Sequence, residues 1–255
     1  MTSFNQKSNR AILLFTRAPE NEARSKPLSG RLSFAERVGL YESCTRHVLG
    51  QASALGDPIL VATDGPDYNF ARYSPDVVAV FQQRGDSFGN RLAHALHAAF
   101  AQGYDQVVCV GNDCLELSAG DLHTAFAQLA QHDLTLGAAE DGGVYLIGVQ
   151  RESLPAVLHA VRECHWQTAI VLKDLLASAQ RYAISTTILR AQRDLDTAGD
   201  LIRACQALPN LLFLRRFFSL LFSSRILSSF TQLVFTPTSH YDRLRFQKAP
   251  PAFLF

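Results

Sequence analysis

Gln106-Val-Val-Cys-Val-Gly-Asn-Asp-Cys114 is a short apolar run that stops abruptly in glycine, asparagine and aspartate. Four consecutive apolar residues bounded by polar ones read as a strand buried on both faces. Ala11-Ile-Leu-Leu-Phe15, Pro58-Ile-Leu-Val-Ala62 and Val77-Val-Ala-Val-Phe81 repeat the pattern, and Leu134-Thr-Leu136 and Val144-Tyr-Leu-Ile147 add two more strands. Helical spacing fills the gaps at 34–55, 90–102 and 122–131; Leu92, Leu96 and Phe100 recur at four-residue steps. Such alternation predicts an α/β fold of three layers, with a mostly parallel central sheet between helices.

In sheets of this kind, ligands sit outside the carboxyl ends of the strands. The residues just after each strand are therefore the candidates for chemistry. The first strand is followed by Thr16-Arg17-Ala18-Pro19 and then by Arg24, Lys26 and Arg31, in a stretch that reads as an irregular loop. Thr63-Asp64-Gly65 follows the second, Gln82-Gln-Arg-Gly85-Asp86 the fourth candidate, and Gly111-Asn112-Asp113 the run quoted first.

Composition limits the function classes. A chain of 255 residues with 47% hydrophobic and 18% charged residues has enough apolar material for one large core. A formal net charge of +1 argues against a protein that coats nucleic acid. Cys44, Cys109, Cys114, Cys164 and Cys205 form no C-x-x-C pair, which fits a reducing compartment. The polar Met1–Arg10 stretch does not read as a signal peptide, and no window approaches the ~20 apolar residues of a spanning helix. The expected location is cytoplasmic.

Each site signal has two readings. Asp113 offers a hard oxygen ligand for Mg²⁺ or Mn²⁺, or it caps the next helix. Glu140-Asp141-Gly-Gly143 places two carboxylates before close-approaching glycines, or it is an ordinary hairpin turn. The cations of the first loop grip a diphosphate, or they are solvated surface charge. Trp166 beside His165 stacks a sugar ring, or it packs a core edge. Asp194 and Asp196 before Thr197 suggest capping of the helix that holds Asp200.

Taken in order, Phe15-Thr-Arg-Ala-Pro19, Gly85-Asp86-x-x-Gly89-x-Arg91-Leu92, Gly111-x-Asp113-Cys114 and Ala139-Glu-Asp-Gly-Gly143 with Tyr145-Leu-Ile-Gly148 resemble the arsenosugar-biosynthesis-type glycosyltransferase family. Trp166 with Thr168, and Asp194-Leu-Asp196-Thr197, continue the resemblance over roughly residues 11–204. That family belongs to the GT-A-like nucleotide-diphospho-sugar transferase superfamily. The resemblance implies a metal-dependent glycosyltransferase with a nucleotide-sugar donor and an acceptor still to be named. It implies Mg²⁺ or Mn²⁺ at Asp113, catalytic roles for Asp113 and Asp141, and nucleotide contacts from Gly85, Asp86 and Arg91; the loop cations Arg17, Arg24 and Lys26 and the strand-end Asp64 are the further candidates for nucleotide contact. Nucleotidyl transfer from a nucleoside triphosphate is the alternative within the same superfamily, and non-enzymatic nucleotide binding is a third. The first loop departs from the family's Ala-Pro-x-x-Gly-x-x-Lys-Thr-Arg-Leu: Glu22 stands for the glycine, and Ser25, Lys26 and Pro27 stand for Lys-Thr-Arg.

Composition shifts near residue 205. From Leu201 to Tyr241 there is no acidic residue, while Arg203, Arg215, Arg216 and Arg225 lie among Leu and Phe. We expect a catalytic domain over 1–204 and a basic, amphipathic helical appendage over 205–255. The appendage either contacts the inner face of a membrane, forms a homodimer, or closes the core.

Overall fold

A computed structural model of the chain describes residues 9–26, 28 and 32–222. Pro27, Arg31, Arg225 and the rest of the tail beyond residue 222 lie outside the described residues. In chain order the elements are β1 (Arg10–Thr16), α1 (Pro19–Ser25), α2 (Phe34–Ser53), β2 (Ile59–Thr63), β3 (Val77–Gln82), α3 (Phe88–Ala101), β4 (Gln106–Val110), α4 (Ala119–Leu129), β5 (Leu134–Ala139), β6 (Val144–Gln150), α5 (Leu154–Glu163), α6 (Val171–Arg181), β7 (Thr186–Gln192), α7 (Ala198–Ala207) and α8 (Leu212–Phe222).

The strands form one sheet in the order β3-β2-β1-β4-β6-β5-β7. All neighbours run parallel except β4 with β6 and β5 with β6. Strand residues alternate sides, and both sides are covered. Leu13, Leu60 and Val107 face α3, α5 and α6 through Leu96, Phe100, Val161 and Leu175. Ile12, Leu14, Val61 and Val108 face α2 and α4 through Val48, Leu49, Leu122 and Phe126. Each such side chain contributes about 1.5–3 kcal/mol on burial, which is why these runs hold the sheet. The expected α/β, three-layer fold with a mostly parallel sheet is thus the observed one.

Helix starts are written locally. Ser33 with Glu36, Ser118 with Asp121, and Thr197 with Asp200 form reciprocal capping boxes at the starts of α2, α4 and α7. These caps correct two readings. Asp113 caps nothing, because α4 begins at Ser118; Asp196 is not the cap of α7, because Thr197 is. The segment after β1 is also not an irregular loop. Pro19 opens α1, with Glu20 and Glu22 in its first turn and Arg24 in its last, matching the helix dipole. The reading also left out α5, α6 and β7, and β7 is a partly exposed edge strand with little apolar periodicity.

Register brings three strand ends level. Thr16 pairs with Thr63, and Leu14 pairs with both Val61 and Val110. Arg17, Asp64 and Gly111–Asp113 therefore leave the sheet along one edge. Residues 140–143 are the antiparallel turn between β5 and β6, with Gly142 at φ +94°.

The boundary expected near residue 204 falls inside α7. Leu201, Leu214 and Phe217 are buried with Leu32, Leu40, Cys44, Leu115 and Leu195 in a third apolar cluster on α2. Arg215 and Arg216 point outward as exposed residues. No helix among the described residues is long and apolar enough to cross a membrane.

Candidate active site

A cleft of about 410 Å³ opens where the level strand ends meet the β5–β6 turn. Arg17, Asp64, Arg91, Asp113, Asp141 and Trp166 all line it. Seven nucleotide or catalytic positions were expected to converge with Asp113 and Asp141; the structure sorts them into groups.

Arg17 and Asp64 stand together. The Ala18 N–H donates to Asp64 Oδ1 at 2.8 Å, and Arg17 Nε lies 4.0 Å from Asp64 Oδ2. Asp64 thereby braces the turn that presents Arg17. Gly65 beside it is required by space, since a Cβ there would sit 2.6 Å from the Ala18 Cβ. Gln83 fixes the same rim by donating to the carbonyls of Thr16 at 2.9 Å and Ala62 at 3.0 Å.

Gly85 adopts φ +137°, and a Cβ there would meet the Asn90 backbone at 2.8 Å. This close approach starts α3, which carries Arg91 to the cleft. Asp86 is exposed and accepts from Asn90 Nδ2 at 2.5 Å, so it supports the turn and does not line the cleft. Arg24 also lies outside the lining: it is exposed, donates to Asn21 at 2.9 Å and stacks 5.4 Å above Phe34.

Asp141 sits on the β5–β6 turn, where its Oδ1 accepts from the Gly143 N–H at 2.9 Å. The hairpin and the site are therefore one feature. Trp166 borders the cleft with its indole N–H already donated to Val161 O at 2.7 Å and its ring 4.8 Å from Phe88. His165 is exposed and pairs with Asp174 at 2.8 Å.

Lys26 has the least expected place. Its Nζ is buried at 2.9 Å from Asp196 Oδ1, 3.0 Å from Asp113 Oδ2 and 3.3 Å from Glu22 Oε1. Glu22 and Lys26 are four apart on and just past α1, so they share one helical face. The Leu195 N–H donates to Asp113 O at 3.0 Å, which ties the segment after β7 to the end of β4 and delivers Asp194 and Asp196 beside Asp113. Burial alone pushes the Lys26 ammonium down, but the charges of Asp113, Glu22 and Asp196 reverse this and hold it well above its ordinary value. Burial pushes Asp194 well up, reinforced by Asp113, Asp196 and Asp141. Burial likewise raises Glu22 and Asp196 in spite of Lys26. The cluster thus gathers more carboxyl groups than one ammonium pairs with, and burial makes the unpaired ones hold their protons more readily.

Glu22, Asp194 and Asp196 were absent from the expected site. The spacing of Glu22 and Lys26 was the available signal for the first. For the other two, the Asp-x-Asp pattern was visible but was assigned to capping.

Asp194 Oδ1 is closed to solvent and has no hydrogen-bond partner among the described residues. A buried, unpartnered carboxyl oxygen near Asp113 suits a hard cation. No three His, Cys, Asp or Glu side chains among the described residues form a ready-made metal set.

Residues 48–168 match a family described as an uncharacterized protein conserved in bacteria, DUF2064. Among curated proteins none matches the chain. A candidate nucleotide-diphospho-sugar transferase from Desulfovibrio desulfuricans G20 has a similar structure, with TM-score 0.71, 23% identity, and coverage of 85% of this chain and 98% of that one. CMP:2-keto-3-deoxy-manno-octonic acid synthetase, solved with CTP, is similar at TM-score 0.51 and 14% identity, covering 79% of this chain and 99% of its own. 4-Diphosphocytidyl-2C-methyl-D-erythritol synthase from Anaerococcus prevotii is similar at TM-score 0.51 and 10% identity, covering 79% and 97%. The chain thus shares the GT-A-like fold of these structures.

Proposed function

We propose that this chain is a transferase that binds a nucleotide in the cleft, and that its reaction is glycosyl transfer from a nucleotide-diphosphate sugar. The observation that carries the reading is the meeting of two arginines, Arg17 and Arg91, with Asp113 and Asp141 around one cleft at the strand ends. Arginine guanidinium groups bind phosphate oxygens in pairs, so Arg17 and Arg91 take the diphosphate. Asp113 and Asp194 would hold Mg²⁺ or Mn²⁺, which supplies neutralisation of the departing diphosphate. Asp141, on the β5–β6 turn, takes the proton of the acceptor hydroxyl. Asp64 and Gly85 position Arg17 and Arg91, and Asp86 supports the same turn. The resemblance to arsenosugar-biosynthesis-type glycosyltransferases supports sugar transfer over other reactions.

Nucleotidyl transfer is the second reading, favoured by the likeness in fold to a CMP:2-keto-3-deoxy-manno-octonic acid synthetase solved with CTP and to a 4-diphosphocytidyl-2C-methyl-D-erythritol synthase. Here the cleft holds a nucleoside triphosphate and releases pyrophosphate. Incubation of the chain with nucleotide sugars and with nucleoside triphosphates, in Mg²⁺ and Mn²⁺, separates the readings. Nucleoside diphosphate release supports the first, pyrophosphate release the second, and saturable binding with no turnover a nucleotide-binding protein. For the division of the chain, we propose that 1–204 carries the chemistry and that 205–255 governs association with a second copy or an anionic lipid surface. A cytoplasmic location fits the free cysteines Cys44, Cys109, Cys114, Cys164 and Cys205.

A further inference from the structure

An ammonium has three N–H donors, and the Lys26 Nζ meets three carboxylate oxygens, from Glu22, Asp113 and Asp196, at 2.9–3.3 Å. The side chain is 4% exposed, as is that of Glu22. A point charge surrounded by carboxylates from three separate chain segments is how a protein holds a metal ion. The nearby Asp194 Oδ1 is buried and has no hydrogen-bond partner among the described residues.

We propose that Lys26 is a resident cation of the acidic site, filling a position that a divalent ion takes when the lysine is removed. The inference rests on the reading of Asp113 and Asp194 as metal-holding residues. With Lys26 present, Asp113 and Asp196 are already partly neutralised, so the site binds a divalent ion weakly until nucleotide phosphate joins it. With Lys26 gone, Glu22, Asp113 and Asp196 surround a vacated point of strong negative potential, where a hard cation replaces the ammonium. Lys26 is in this sense a positioning residue that ties metal affinity to nucleotide.

The test uses Mn²⁺ alone, with no nucleotide, and reads free Mn²⁺ by electron paramagnetic resonance. Lys26→Met is expected to bind Mn²⁺ at least about tenfold more tightly than the parent, since a unit charge in direct contact has been withdrawn. Equal or weaker binding by folded Lys26→Met overturns the proposal. If Lys26→Met does not fold by itself, the repelling carboxylates are the reason, and Mn²⁺ is expected to restore its near-ultraviolet circular dichroism; no restoration overturns the proposal. The double variant Glu22→Gln/Lys26→Met removes one acid with the base, and it too must bind Mn²⁺ more tightly than the parent. Because these readouts involve neither nucleotide nor turnover, their failure leaves the nucleotide-binding reading standing. A chain that binds Mn²⁺ as predicted but no nucleotide would fail only that reading.

Discussion

Lys26 Nζ and Asp113 Oδ2, 87 residues apart in sequence, lie 3.0 Å apart at the base of the cleft. The contact joins the end of α1 to the end of β4. It also moves Lys26 out of the phosphate-gripping role that its place in the first loop suggested. Among the described residues, the cations that line the cleft are Arg17 and Arg91.

Arg17→Ala and Arg91→Ala should each weaken nucleoside diphosphate binding, with less effect on the unphosphorylated nucleoside. A hydrogen bond to a charged group contributes about 1.5–3 kcal/mol, so a loss of roughly tenfold or more is expected. Arg24→Ala, at an exposed position stacked on Phe34, should stay within about twofold, as surface charges do. Calorimetric titration of the three variants checks the division, and an equal loss in Arg24→Ala would return α1 to the binding surface.

Gly142→Ala should destabilise the chain and reshape the rim that carries Asp141. The new Cβ would lie 2.1 Å from Ala169 O, at a residue with φ +94°. Strain of that kind costs on the order of 1–3 kcal/mol before the clash is counted. Gly50→Ala is the control: nothing lies within 4 Å, and α2 should gain up to about 1 kcal/mol. Denaturant melts of both variants measure the difference.

Acid should weaken the fold partly through Asp121. Burial pushes its carboxyl up, but the bonds from Arg190 and Ser118 outweigh burial and hold it at about 2, below the ordinary 3.8. The folded state therefore releases this proton more readily than the unfolded chain. The resulting stability is present above the ordinary value and is lost as pH falls toward about 2. Asp121→Asn should flatten the pH dependence of stability in that window. An unchanged slope would assign the acid sensitivity to other carboxylates.

A chain ending at Ala204 should melt below one ending at Phe222, because the shorter one lacks the buried Leu214 and Phe217. At about 1.5–3 kcal/mol for each of the two side chains and roughly 2–4 °C per kcal/mol, the drop should be about 6–24 °C. Equal melting temperatures would mean that 205–222 is dispensable for the fold. Sedimentation and anionic-liposome flotation of the full chain and the shorter forms then show whether the tail serves a second copy or lipid.

The strands were legible because each buried run is short, continuous and closed by a polar residue, as Val107–Val110 is by Gly111–Asp113. The strand-end rule then led to Arg17, Asp64, Asp113 and Asp141 without any knowledge of contacts. It misassigned α1, since Pro19-Glu-Asn-Glu-Ala-Arg-Ser25 has no apolar stripe and is helical through its Pro start and end charges. β7 escaped because an edge strand needs little apolar alternation. The Lys26 cluster escaped for a deeper reason. Glu22, Asp113 and Asp196 lie far apart in sequence, and tertiary contacts such as the backbone bond from Leu195 to Asp113 bring them together. Charge on a loop reads as solvated until a tertiary contact buries it.

The central claim is that Asp113 organises a nucleotide site in this cleft. Its most direct measurement is calorimetric titration of the parent and of Asp113→Asn with nucleoside diphosphates in the presence of Mn²⁺, with circular dichroism to confirm the fold. The substitution keeps size and hydrogen bonding and removes the charge that a hard cation needs. The account predicts saturable binding of at least one nucleoside diphosphate by the parent, and a loss of at least about tenfold in folded Asp113→Asn, as removal of a charged contact entails. Parent-like affinity in the folded variant, or no nucleotide binding by the parent at all, would contradict it.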